Sequence, residues 1–234
     1  MQSRVVIAGA SRGLGRALAW RYLELGYEVW AGCRNPGRAA DLSARGAVVE
    51  RLDVTDEQTV VSFGARVAAT GRLDLLINAV GVDARAYGAG IGARGPFELD
   101  VEHFLAEVRV NAAGPMLVTR ALLQPLLGSP AAKIVNLSSR TGSMTVGAEL
   151  CWDIGYNASK AALNAITVRT ARLLADRGVI VVAIHPGSVR TDMGGPDADL
   201  DLEQAATQLV ATIGALTLEQ TGTFLQPDGS IHPW

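Results

Sequence analysis

An open parallel β-sheet covered by helices on both faces, a doubly wound α/β architecture, is the fold class this sequence predicts. Three observations lead there. Short β-branched runs recur along the chain, segments of helical period separate them, and most runs are apolar at successive positions, as strands buried on both faces are. The first run is Val5-Val6-Ile7-Ala8, followed by Leu14, Leu18, Tyr22 and Leu25 at helical spacing, with Gly26 as the stop. Val29-Trp30-Ala31-Gly32 and Val48-Val49-Glu50-Arg51-Leu52 read as the second and third strands, and Leu75-Leu76-Ile77-Asn78 as the fourth. Lys133-Ile134-Val135-Asn136-Leu137 and Val179-Ile180-Val181-Val182-Ala183-Ile184 are the fifth and sixth. Between these last two, Leu163, Ile166, Thr170 and Leu173 are expected to line the buried side of a helix that Gly178 ends. Right-handed crossovers would then place helices on both faces.

Bulk properties narrow the function. With 234 residues, 49% of them hydrophobic, and 26 glycines, the chain is long enough for one large domain with a substantial core. No linker or internal repeat divides it. A net charge of -2 and intermixed charges give no basic stripe, so nucleic acid is not an expected partner and small molecules are. The apolar run after Met1-Gln2-Ser3-Arg4 stops at Ser11 and Arg12, too short for a signal sequence or membrane span, and a cytoplasmic location is expected. Cys33 and Cys151 are the only cysteines, far apart and expected to be reduced thiols. His103, His185 and His232 are scattered, so no metal site is expected.

Two stretches, 81 to 96 and 138 to 154, follow strands at their carboxyl ends, the edge where open α/β sheets bind ligands. After the first strand comes Gly9-Ala10-Ser11-Arg12-Gly13-Leu14-Gly15. Glycines there let the backbone turn tightly and approach a pyrophosphate, while the free amides at the following helix start favour the anion. Tyr156 and Lys160 lie four apart, on one face of a helix, and Lys160 is one of only two lysines among 21 basic residues. A compact ammonium beside a phenol favours the phenolate, which makes the pair an acid/base candidate, and a planar guanidinium would not substitute for it.

The glycine loop, Asn78-Ala79-Val80-Gly81, Asn111, Ser138-Ser139-Arg140-Thr141-Gly142, Tyr156-x-x-x-Lys160 and Pro186-Gly187-Ser188-Val189-Arg190-Thr191 occur together and in order. In this the chain resembles the short-chain dehydrogenase/reductase family over its whole length, with further likeness to C-factor and sniffer-like carbonyl reductases in Thr191-Asp192-Met193-Gly194-Gly195 and the tail from Asp228-Gly229 to Trp234. The resemblance implies a single Rossmann-like NAD(P)-binding domain over residues 1–234 that reduces an aldehyde or ketone. It implies Tyr156 as the proton donor, Lys160 lowering its pKa and holding the nicotinamide ribose, Ser139 bonding the substrate oxygen, and Asn111 organising a water relay. Gly9, Ser11, Arg12, Gly13, Leu14 and Gly15 would hold the pyrophosphate side, Asp53 and Val54 the adenine, and Asn78, Ala79 and Val80 the adenosine side. Pro186, Gly187, Val189 and Thr191 would meet the carboxamide and phosphates.

Departures from the family pattern carry expectations of their own. The usual Asn-Asn-Ala-Gly is altered at Ile77-Asn78-Ala79-Val80. The interval from Ser139 to Tyr156 is longer than usual, which implies a longer loop in which Trp152 either walls the substrate pocket or caps the core. A carboxylate that would end the second strand in an NAD-using protein is replaced by Cys33, with Arg34 next; Arg34 and Arg12 together favour NADP(H) over NAD(H) by clamping a 2'-phosphate. Gly194, Gly195 and Pro196 imply an open or mobile cover between Ser188 and Leu202. Oxidation of a secondary alcohol, and a nucleotide-binding sensor without turnover, are the rival readings, and a homo-oligomer is possible.

Overall fold

The computed structural model describes residues 2–88, 90, 94–149 and 153–234. The strands are β1 Arg4–Ala8, β2 Glu28–Cys33, β3 Val48–Arg51, β4 Leu75–Asn78, β5 Lys133–Leu137, β6 Ile180–Ile184 and β7 Phe224–Leu225. They form one sheet in the order β3-β2-β1-β4-β5-β6-β7 with every pairing parallel. The helices are α1 Gly13–Glu24, α2 Ala40–Ala44, α3 Glu57–Ala69, α4 Val101–Val108, α5 Gly114–Ala121, α6 Leu123–Leu127, α7 Ile154–Leu174 and α8 Leu202–Ala215.

Alternation along each strand sends successive side chains to opposite faces, so two cores form. Val5, Ile7, Val135 and Val182 meet Leu18 and Tyr22 of α1, Leu42 of α2 and Leu209 and Ile213 of α8. Val6, Leu76, Ile134 and Val181 meet Val60 and Phe63 of α3, Val118 of α5, Leu126 of α6 and Leu174 of α7. The doubly wound architecture read from the sequence is the one observed.

Three local readings change. β7 has no sequence signal because two residues carry no measurable period; Phe224 and Leu225 join the sheet by register with Ala183 and Ile184. Leu25 lies beyond α1 and is exposed. Leu173 is 80% exposed, and the inward face of α7 instead carries Ser159, Lys160, Leu163, Asn164, Thr167, Ala171 and Leu174. Apolar periodicity misled there because this face covers polar groups: Asn136 Nδ2 donates to Thr167 Oγ1, and Ser138 Oγ to Asn164 Oδ1. Among the described residues no helix is long and apolar enough to cross a membrane.

Candidate active site

The seven strands run in one direction, so every loop leaving a strand's carboxyl end reaches the same edge, and the predicted site residues all lie along it. At the β1–α1 junction Gly9 and Gly13 adopt φ of 94° and 53°, a region open to glycine at little steric cost. A side chain at Gly15 would collide with the carbonyl oxygen of Gly9. Arg12 is the N-cap of α1 but provides no side-chain cap, and the first turn holds no acid. By contrast α3, α4, α7 and α8 are capped by Asp56, Asp100, Asp153 and Asp201. The amide donors that open α1, with Ser11 and Leu14 beside them, are thus free to receive a pyrophosphate, and a glycine cradle is the shape that fits one.

Other predicted contacts surround this cradle. A Cβ built on Gly13 would lie 3.7 Å from Thr191 Cγ2, and Arg12 Nη1 lies 2.9 Å from Asp192 Oδ2, so the loop after β6, carrying Pro186, Gly187, Val189 and Thr191, faces the glycine loop. Arg34 is exposed just beyond β2, while Cys33 is fully buried as a free thiol, so no carboxylate stands at the end of that strand. Asp53 does not cap α3. Its Oδ1 accepts from Thr55 N and Oγ1; burial opposes its ionisation, but those bonds and the charges of Arg34 and Arg51 outweigh burial and hold its pKa below the usual range. Val54 is buried against α5 at Gly114. Asn78 turns its side chain into the sheet, donating to Asn136 Oδ1 at 2.8 Å, which leaves its backbone and Ala79-Val80 beside the crevice; Gly9 packs against Val80.

Tyr156 and Lys160 come from the first two turns of α7, started by Asp153, whose Oδ1 accepts from Tyr156 N at 3.0 Å. The Lys160 ammonium lies 5.7 Å from the Tyr156 ring centroid and donates to Leu137 O at 2.9 Å. Ser139, at the end of β5, is hydrogen-bonded to the Tyr156 side chain, and its Oγ is 3.0 Å from Thr141 Oγ1. Asn111 sits in a π-helical turn, Arg109–Ala113, between α4 and α5. Its Nδ2 donates to Val82 O and Ser159 Oγ, and its Oδ1 accepts from Val82 N. Gly81 closes the group: a Cβ there would lie 3.8 Å from Lys160 Nζ and 3.9 Å from Asn111 Oδ1. Asn111, Ser139, Tyr156 and Lys160 therefore form one cluster.

Burial dominates its electrostatics. It raises the Tyr156 phenol to about 12, against the lowering by Lys160 expected from the sequence; the Ser139 bond pulls it down, and Asp83, Asp153 and Glu107 push it up. Burial lowers Lys160 to about 8. The three carboxylates are features the sequence reading missed. Asp153 was detectable as an acid immediately before a helix, whereas Glu107 and Asp83 become neighbours of α7 only in the folded chain. Trp152, Cys151 and Leu150 lie outside the described residues, and Met144 in the same loop is exposed.

Comparison with known proteins completes the picture. The family model for short chain dehydrogenases matches residues 3–200. The chain is 32% identical to a 1-hydroxy-2-glutathionyl-2-methyl-3-butene dehydrogenase from Rhodococcus sp. (strain AD45), covering 99% of this chain and 100% of the relative. It superposes on the NADPH-bound carbonyl reductase from chicken fatty liver with a TM-score of 0.90 at 27% identity, and on the carbonyl reductase Sniffer of D. melanogaster with 0.90 at 26%, each covering 100% of both chains. With the family model matching residues 3–200 and a relative 32% identical over its whole length, the chain belongs to the short-chain dehydrogenase family of oxidoreductases.

Proposed function

We propose that the chain, as one catalytic unit over residues 1–234, reduces a ketone or aldehyde with NADPH, with Tyr156 as the proton donor. The observation that carries this reading is the cluster of Asn111, Ser139, Tyr156 and Lys160 beside the glycine cradle. A nicotinamide dinucleotide bound along this edge supplies hydride to the carbonyl carbon. Ser139 Oγ and the Tyr156 hydroxyl are joined by a hydrogen bond, so a carbonyl oxygen placed between them meets two donors where negative charge develops. Tyr156 gives up its proton to that oxygen. Burial keeps the phenol protonated at neutral pH, so Tyr156 has a proton to give. Lys160 lies beside the ring to stabilise the tyrosinate left behind, and the widened turn at Asn111 gives a route for its reprotonation through water.

Cofactor preference follows from charge. Arg34 is exposed with no acid before it at the end of β2, and Arg12 is exposed at the start of α1 after the neighbouring strand β1, two guanidinium groups that favour a 2'-phosphate. The carbonyl reductase neighbour from chicken fatty liver is NADPH-bound. The test is NADPH oxidation followed with a panel of aldehydes and ketones in the wild type and in Tyr156→Phe. Loss of about 10²-fold or more in kcat with NADPH affinity retained is expected. Equal rates in the two proteins would refute the assignment, and tighter NADH than NADPH binding would refute the cofactor preference.

A further inference from the structure

A second polar cavity opens on the carboxyl edge of the sheet, built by the loop after β5, the end of β6 and the chain after β7. Its volume is about 350 Å³, and Arg140, Val146, Glu149, His185, Gln226 and His232 line it. That volume suits a small organic molecule.

The lining is unbalanced in a way that identifies its ligand. The Gln226 amide nitrogen lies 2.7 Å from His232 Nδ1. An amide nitrogen can only donate, so Nδ1 is the acceptor and the neutral His232 ring carries its proton on Nε2. That Nε2–H is buried and has no partner, and His185 Nδ1, in a ring 6.1 Å away, has none either. Buried polar atoms are normally paired, so an unmatched donor calls for an oxygen acceptor. Arg140 supplies the charge: its guanidinium makes no ion pair among the described residues. Burial, then His232 and Arg140, lowers His185 to about 4, and burial with Arg140 lowers His232. Glu149, the one acid in the lining, contributes to neither shift. At neutral pH the pocket therefore presents two neutral imidazoles and one unpaired guanidinium.

We propose that this cavity binds the carboxylate of a small organic acid, with Arg140 as its ion partner and His232 as a neutral donor. A planar two-oxygen group matches the guanidinium fork, and a single negative charge meets less repulsion from Glu149 than a phosphate dianion would. Arg140 follows Ser139 directly in the chain, but Asn111, Ser139, Tyr156 and Lys160 do not line the cavity, and binding there does not depend on the reductase reading.

Histidine Cε1–H resonances test this directly, since the chain has three histidines and His103, stacked on Tyr87, serves as an internal control. Propionate should shift the His185 and His232 signals saturably, raise both pKa values and leave His103 unmoved. Arg140→Gln should weaken binding about tenfold or more, while Tyr156→Phe should leave it unchanged. No saturable shift, equal binding by Arg140→Gln, or the same response to inorganic phosphate at matched ionic strength would each overturn the proposal.

Discussion

Replacing Glu107 with glutamine removes an ionisable group from a place that resists its charge. Glu107 is fully buried, both carboxylate oxygens lack partners, and the group presses against the backbone of Gly155, next to Tyr156. Burial, then Asp153 and Asp83, raises its pKa from 4.5 to about 8, and Arg94 only partly offsets them. The folded protein therefore holds a proton that the unfolded chain releases above about pH 4.5. Stability from this group is complete below the unfolded pKa and lost as pH rises through the folded one. Taken at about 1.4 kcal/mol per pH unit, the rise amounts to about 5 kcal/mol above both values. Water reaching the ionised carboxylate and the charge of Arg94 screen this to about 2 kcal/mol. Urea unfolding between pH 5 and pH 9 measures it: Glu107→Gln, shaped like the protonated acid, should gain about 2 kcal/mol on the wild type across that interval. Parallel curves for the two proteins would refute the reasoning, because every other titrating group is shared.

Further outcomes follow from the same geometry. Gly81→Ala should fold normally, since its methyl would meet Lys160 Nζ, Asn111 Oδ1 and Met193 Cε only at ordinary contact distances, yet lower kcat about tenfold by filling the space beside the ammonium; unchanged turnover would count against that space being used. Asp192→Asn should cost under about 0.5 kcal/mol because the Arg12–Asp192 pair is exposed, and should tighten NADPH but not NADH by a few-fold in a fluorescence titration. Asp56→Ala should lower the unfolding free energy by about 1 kcal/mol, as the α3 N-cap is lost, with kcat/KM untouched.

The sheet was legible in the sequence because its central strands are unbroken apolar runs, and the cofactor edge because glycines and an uncapped helix start mark a tight turn aimed at an anion. The Tyr156–Lys160 pair was legible for a similar reason: four residues on a helix is a local distance. What stayed hidden depends on partners far apart in the chain. Glu107 reaches the Gly155 backbone from α4, Asn78 spends its amide on Asn136 of the neighbouring strand, and His185 meets His232 only after β7 docks. The inward face of α7 misled because polar side chains there satisfy one another, which a hydrophobic period does not register.

The position of β1 in the sheet has a kinetic consequence. β1 is the third of seven strands, with Val5 opposite both Val29 and Leu75, so one side of it waits for a partner made much later. Closing that long loop precedes the gain from pairing, which makes refolding slow and leaves an apolar strand edge open in the meantime. Vectorial synthesis would hold β1 to β3 as an unfinished half-sheet until Leu75–Asn78 emerges, the interval in which a chaperone would have the most to protect.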